Sequence, residues 1–311
     1  MDIVVLLGDE YLLRPLLYEP LIELTGFTPL ADQLYFPRLA FSTWLLLTLG
    51  AIVMYLITST ISYLIFFVWL RDKYYPETAE QPFPGQEKLE IQMALWSCPW
   101  IGVLTAPFVF LEVWGYSRLY ENLSDYPLWY IPVQIILFIF FTDTGIYWIH
   151  RLEHDIPFLY KYVHKPHHIW KVPTPFAALA FHPVDGWLQS TPYHIAVFLF
   201  PVHKHVYLGL FVFVQLWTIM IHDGVDFSPF DFINGSAHHT HHHLRFVYNY
   251  GQFFTFWDRL CGTHLHPNDL PPLEKKRLEK QRQLAAEQAK SSAVASGEAT
   301  TTAAAAAKKS N

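Results

Sequence analysis

The chain is short of charge and nearly without cysteine. Lys, Arg, Asp and Glu make up 15% of its 311 residues, against about 25% in ordinary soluble domains. Apolar side chains take their place: the chain is 52% hydrophobic and 17% aromatic, with a mean hydropathy of +0.19. This balance excludes an ordinary soluble domain and reads as an integral membrane protein. The net charge of -6 offers no concentrated basic surface, so a nucleic-acid partner is not expected. The two cysteines, Cys98 and Cys261, lie far apart and make no disulfide framework. No basic segment precedes the first apolar residues, MDIVVLLGDEY, and a cleavable signal peptide is not expected. A nucleotide-binding glycine motif and a haem-attachment motif are both missing, so reducing equivalents would have to come from another protein.

What is present is a set of long uncharged runs. Residues 1–38, with YLLRPLLYEPLIELTGFTPL broken by prolines, are expected as short pieces lying along the membrane surface. The uncharged stretch between Arg38 and Arg71 exceeds the roughly 20 residues of one crossing, and is expected as one long helix ending in the basic and aromatic border RDKYYPE. Further runs extend from Ile91 to Leu111 and from Tyr126 to Thr142, and are expected to pair as a hairpin through Ser117–Asp125. Gly186 to His222, interrupted by Pro192, Pro201 and PVHKH, reads as a bent helical pair that re-emerges on the side it entered. The transmembrane region is thus 39–149, followed by a region 150–270 containing the hairpin 186–222, and by a charged, low-complexity tail 271–311. Arg71, Lys73, Lys88, Arg151, Lys161, Lys165 and Lys171 fall on one side and Arg118 on the other. The positive-inside tendency then puts the later histidines and the C-terminus in the cytosol. Lys308-Lys309, at the third and fourth positions from the end, resembles a dilysine retrieval signal and agrees with a multi-pass protein of the endoplasmic reticulum membrane.

Histidine is the unusual feature. His150 and His154 are four apart, and His164, His167 and His168 repeat an H-x-x-H-H spacing that returns at His239, His242 and His243. Residues three and four apart share a helix face, so these are three faces of imidazole. A tetrahedral zinc needs only three or four protein ligands. Eight histidines in three sets therefore point to two metal ions. Imidazole suits zinc, copper, iron and nickel alike, and the Glu-x-x-His pairs of soluble di-iron bundles are missing. Asp143, Asp155, Asp185 and Asp223 lie near these sets. Asp185 and Asp223 are the two expected to accept a ring N–H and so fix a ligand's tautomer.

The segments HRLEH, HKPHHIWKVPTPFAALAFHPVDGWLQSTPYH, IHDG, INGSAHHTHHH and YNYGQFFTFWDRLCGT, across about residues 140–263, resemble the fatty acid hydroxylase superfamily. Within it they are most similar to the sterol C-5 desaturases, also called lathosterol oxidases. The resemblance implies an all-α integral membrane bundle of about four spans with a cytosolic, histidine-rich di-metal cap. It implies two non-haem irons held by His150, His154, His164, His167, His168, His239, His242 and His243, which are then the catalytic set, with His182 and His222 as further metal ligands. His238 would replace His239 if the register shifts, and His241 is expected to face outward. The implied reaction is O2-dependent oxidation of a Δ7-sterol to a Δ5,7-diene. Electrons would come from NAD(P)H through cytochrome b5 and its reductase, and the sterol from the surrounding membrane lipid. Two other readings are a sterol or fatty-acyl hydroxylase using the same ions and a histidine-rich metal transporter. The transporter is disfavoured because its ligands would belong at mid-bilayer rather than at span ends.

Overall fold

The computed structural model describes residues 1–74, 81–226 and 230–269. It divides into a unit Met1–His264 and a unit beginning at Leu265. The second contributes a short turn in which the Asp269 N–H donates to the His266 carbonyl at 2.9 Å. The tail 271–311, with its charged and low-complexity stretches and Lys308-Lys309, lies outside the described residues.

The first unit is almost entirely helical. The longest uncharged run forms one continuous helix, α1 (Phe36–Trp69), with no break at Gly50 and with π spacing in its last turns. It is followed by α2 (Gln86–Val113), α3 (Tyr130–Asp155), the shorter α4 (Pro183–Leu199) and α5 (Lys204–His222). Of these, α1, α2, α3 and α5 are long and apolar enough to cross a membrane. At seventeen residues and 1.5 Å per residue, α4 reaches about 25 Å. Two small helices, α6 (Ser236–Arg245) and α7 (Phe256–Cys261), complete the unit. The expected pair 186–222 is present as α4 and α5. The connection between them holds the strand Val202–His203, which pairs in parallel with Leu119–Tyr120 from the α2–α3 connection.

Apolar side chains fill the bundle, among them Val109 of α2, Phe138 of α3, Val197 of α4 and Val214 of α5. Close helix contacts need small residues. A Cβ on Gly145 of α3 would lie 2.6 Å from the Pro192 ring of α4, and one on Gly102 of α2 would lie 2.7 Å from Thr48 of α1. The chain runs toward one end of the bundle in α1, α3 and α5 and away from it in α2 and α4. That end therefore collects the last turns of three helices and the first turns of two.

The N-terminal arm departs from expectation. Its prolines do not divide it: helical backbone continues through Asp2–Gly8, Asp9–Tyr18 and Glu19–Thr25 until Gly26, whose φ of 69° ends it. Pro15 sits inside the middle stretch, where π spacing opens the ladder against which a proline ring would clash in an α-helix. The arm is tied to α1 by a buried ion pair. Arg38 donates to both oxygens of Asp9 and also to the carbonyls of Leu30 (2.8 Å) and Ala31 (3.0 Å). The Tyr18 hydroxyl bonds Ser42 at 2.7 Å beside them. Arg38→Ala leaves a buried carboxylate without its cation, and is expected to destabilise the protein by about 3–5 kcal/mol. A melting midpoint in detergent that is unchanged from wild type would contradict this.

Candidate metal centre

Residues 170–182 form an irregular segment on the way from the third uncharged run to α4, and polar side chains from inside the spans hold it. Tyr55 of α1 donates to the Phe176 carbonyl (2.9 Å) and Ser59 to that of Pro175 (3.1 Å). Gln86 of α2 donates to the Val172 carbonyl at 2.8 Å and to Glu90 at 2.7 Å, and Glu90 accepts the Thr174 hydroxyl and N–H. Ser97 donates to the Phe181 carbonyl. A second loop, 246–255, is fastened from α3 and α7. Asp143 accepts the N–H groups of Phe253 and Phe254, and Asp258 accepts those of Tyr250 and Gly251. Asn249 stands at φ 58° within it.

Between these loops and the ends of α3 and α5, nine imidazoles gather in two groups. His150, His154, His164, His168 and His242 form one, and His167, His222, His239 and His243 the other. Within each group one nitrogen per ring lies within 4.8 Å of all the others. In the first, Nε2 atoms face one another at 3.1 Å (His150 and His164), 2.9 Å (His164 and His168), 3.0 Å (His154 and His168) and 3.1 Å (His168 and His242). In the second, the spacings are 3.4 Å (His167 and His222), 3.0 Å (His222 and His239) and 3.1 Å (His239 and His243). The groups adjoin: the rings of His168 and His243 are 4.9 Å apart.

The other ring nitrogen decides what these contacts are. Nδ1 of His150 faces the Tyr250 carbonyl (3.0 Å), that of His242 the Tyr248 carbonyl (2.7 Å) and that of His243 the Trp170 carbonyl (2.9 Å). Nδ1 of His222 faces the Thr218 carbonyl (2.6 Å), and Nδ1 of His164 faces Asp185 (2.8 Å). These partners only accept, so Nδ1 carries the proton and Nε2 presents a bare lone pair. Lone pairs turned on each other at such spacing require a cation between them. Protons are poor candidates, because burial pushes His164 down to about 3 and holds His167, His168, His239, His242 and His243 well below their ordinary range. Buried neutral imidazoles oriented through Nδ1 are what a transition metal needs. The residues fit two such ions, one in each group.

A sequence profile described as fatty acid hydroxylase matches residues 135–263. Lathosterol oxidase of Homo sapiens is 46% identical over 277 residues, covering 86% of each chain. The Delta(7)-sterol 5(6)-desaturase ERG3B of Gibberella zeae is 47% identical over 247 residues, covering 78% of this chain and 73% of that protein. The chain belongs to the fatty acid hydroxylase family. The lathosterol oxidase of Rattus norvegicus, 47% identical over 278 residues and 86% of each chain, puts it in the sterol desaturase branch. No solved structure matches it significantly.

Of the ten family residues named above as metal candidates, His182 is not in either group. It precedes α4, where its Nδ1 accepts the Val184 N–H at 3.2 Å and its ring meets Trp96. His239, not His238, occupies the second group, and His238 stacks on His264 with centroids 5.6 Å apart. His241 is half-buried. Asp185 lies against His164, whereas Asp223 accepts the Val225 N–H at 2.9 Å and lies 3.4 Å from Ser62. Glu153 escaped notice in the sequence although it stands inside HRLEH. It is fully buried, 3.7 Å from Nδ1 of His164, and Gln189 donates to both it (3.1 Å) and Asp185 (2.6 Å). The carbonyls of Tyr248, Tyr250, Trp170 and Thr218 have no sequence signal, since every residue carries one.

A histidine whose folded pKa is depressed takes up a proton in the unfolded chain before it does so in the folded one. Its stabilisation is therefore complete above about pH 6.5 and is lost as pH falls toward the folded value. The metal-stripped protein is expected to lose stability progressively as pH falls below about 6.5. Thermal melts across that range measure it, and a flat profile would be the contrary result.

Proposed function

We propose that the chain is a Δ7-sterol 5(6)-desaturase that holds two non-haem irons in its two imidazole groups. The observation carrying this reading is the pair of facing lone-pair clusters, five rings and four, in a relative of enzymes named for that reaction. His150, His154, His164, His168 and His242 would hold one iron, and His167, His222, His239 and His243 the other. When bound, the irons supply the O2-dependent oxidising power needed to remove hydrogen from an unactivated C–H bond, which acid–base side chains cannot do. The overall change is a Δ7-sterol, O2, two electrons and two protons giving the Δ5,7-diene and two waters. The hydrogens leave C-5 and C-6 of the sterol.

The chain's own residues prepare the place. Asp185, steadied by Gln189, takes the Nδ1–H of His164 and makes that imidazole a better donor. The backbone carbonyls do the same for four other rings with no added charge. Apolar walls from α1, α2, α4 and α5 line a cavity of about 220 Å³, which receives the sterol from the bilayer and keeps water away. The two electrons are supplied by cytochrome b5 and its NAD(P)H reductase, a reading supported by the missing nucleotide and haem motifs. The site then faces the cytosol from the endoplasmic reticulum membrane, as the lysine and arginine distribution supports.

Purified protein is expected to contain about two irons per chain, and His167→Ala to lower that content and reduce 5,7-diene formation in cells at least 100-fold. Asp185→Asn is expected to cost about 10–100-fold while retaining the same product. Undiminished 5,7-diene in the His167→Ala cells would overturn the assignment, and a hydroxylated sterol in place of the diene would move it to a hydroxylase.

A further inference from the structure

The cavity between α1, α2, α4 and α5 is apolar along most of its length, with Leu46, Leu47 and Met54 on α1, Ile101 on α2, and Leu208 and Phe211 on α5. Its polar wall residues are few, and three of them meet. Ser190, Tyr193 and Gln215 line it side by side. The same three residues line a smaller cavity that continues toward the imidazole groups, where Gln189, Thr218 and Gln252 join them. Gln215 is the cavity residue on α5 nearest to His222, seven positions and about 10 Å along the helix and on nearly the same side.

The neighbouring polar groups are already engaged within the protein. Gln189 donates to Glu153 and Asp185, Gln252 to the Thr218 hydroxyl (3.0 Å), Thr218 to the Val214 carbonyl (2.9 Å) and Ser190 to the Trp187 carbonyl (2.8 Å). The Gln215 amide has two N–H donors and a carbonyl that can accept twice, and it lines the cavity wall beside Tyr193. An amide set into an apolar cavity costs free energy unless a partner arrives.

We propose that Gln215, backed by Tyr193, is the subsite that binds the 3-hydroxyl of the sterol and thereby fixes which carbon is presented to the centre. This rests on the sterol reading above. The carbon to be oxidised, C-5, is only two carbons from the carbinol carbon, so the hydroxyl end must lie at the end of the cavity nearer the imidazoles. The alkyl tail then extends the other way, along Leu46, Leu47 and Leu208. His194 is the competing polar group, its Nδ1 3.3 Å from the Tyr207 hydroxyl and its ring stacked on Phe108. It lies beyond Tyr193 on α4, and a hydroxyl bound there would hold C-5 farther from the imidazoles.

The test is equilibrium binding of labelled lathosterol and of its 3-deoxy analogue to the full chain in nanodiscs, for wild type and Gln215→Leu. Wild type is expected to prefer the hydroxylated sterol about 10–100-fold, and Gln215→Leu to bring that preference close to one. Should the leucine variant not fold, Gln215→Asn, which keeps the amide but withdraws it, is expected to reduce the preference. A variant that folds and keeps the wild-type preference overturns the proposal. So does a wild type that binds both ligands equally, which would leave the sterol reading standing. A wild type that binds neither removes the sterol reading, and the subsite with it.

Discussion

Nine imidazole rings, eight of them buried, with ring nitrogens turned toward one another are the constraint on which the rest of the structure depends. Seven close contacts join their ring nitrogens, and at His150 and His164 neither nitrogen can donate to the other. Five of the rings are held from behind, His150, His222, His242 and His243 by a backbone carbonyl and His164 by a carboxylate. The protein thus preorganises a cation site with neutral groups, and only one of the rings is shown drawing on a negative charge.

That preorganisation is transmitted from the spans. Tyr55, Ser59, Gln86, Glu90 and Ser97 are polar side chains on α1 and α2, and each would be costly in an apolar bundle if left alone. All of them end on the 172–181 segment, whose single short 3-10 helix, Pro175–Leu179, leaves other backbone groups to be satisfied by side chains. The transmembrane helices therefore act as a rigid frame for a loop, and the loop turns Trp170 and Ala180 toward the rings. On the opposite side, Asp143 and Asp258 do the same for residues 248–254. The location of the groups at helix ends also separates this arrangement from a transport pathway, in which ligands would be strung through the middle of the spans.

Much of this was legible from residue patterns. The uncharged runs gave α1, α2, α3 and the α4–α5 pair, because the cost of charge in hydrocarbon leaves little freedom in composition. The histidine spacings pointed to eight of the nine rings that the fold gathers, and His222 was within reach because IHDG resembles the family. The distribution of rings between groups was not legible. Spacing alone puts His164, His167 and His168 on one helical face, yet Pro166 ends the helix and a 3-10 turn carries His167 to one group and His168 to the other. The third face is split too, with His242 parting from His239 and His243. Pattern reading assumes regular helix, and the assumption fails where proline interrupts it. Glu153 and Gln189 were missed for a different reason: their role depends on burial against His164, which no local spacing encodes.

The adjacency of His167 and His168 has a consequence of its own. Consecutive residues on one tight turn belong to different groups, with ring centroids 5.8 Å apart. The peptide joining them acts as a common axle. Rotating it to widen one group drags a ring of its neighbour, so the two halves cannot drift independently in either thermal motion or evolution. Retuning one half alone would have to begin elsewhere, on α3, α5 or α6, where each helix can yield without turning that axle.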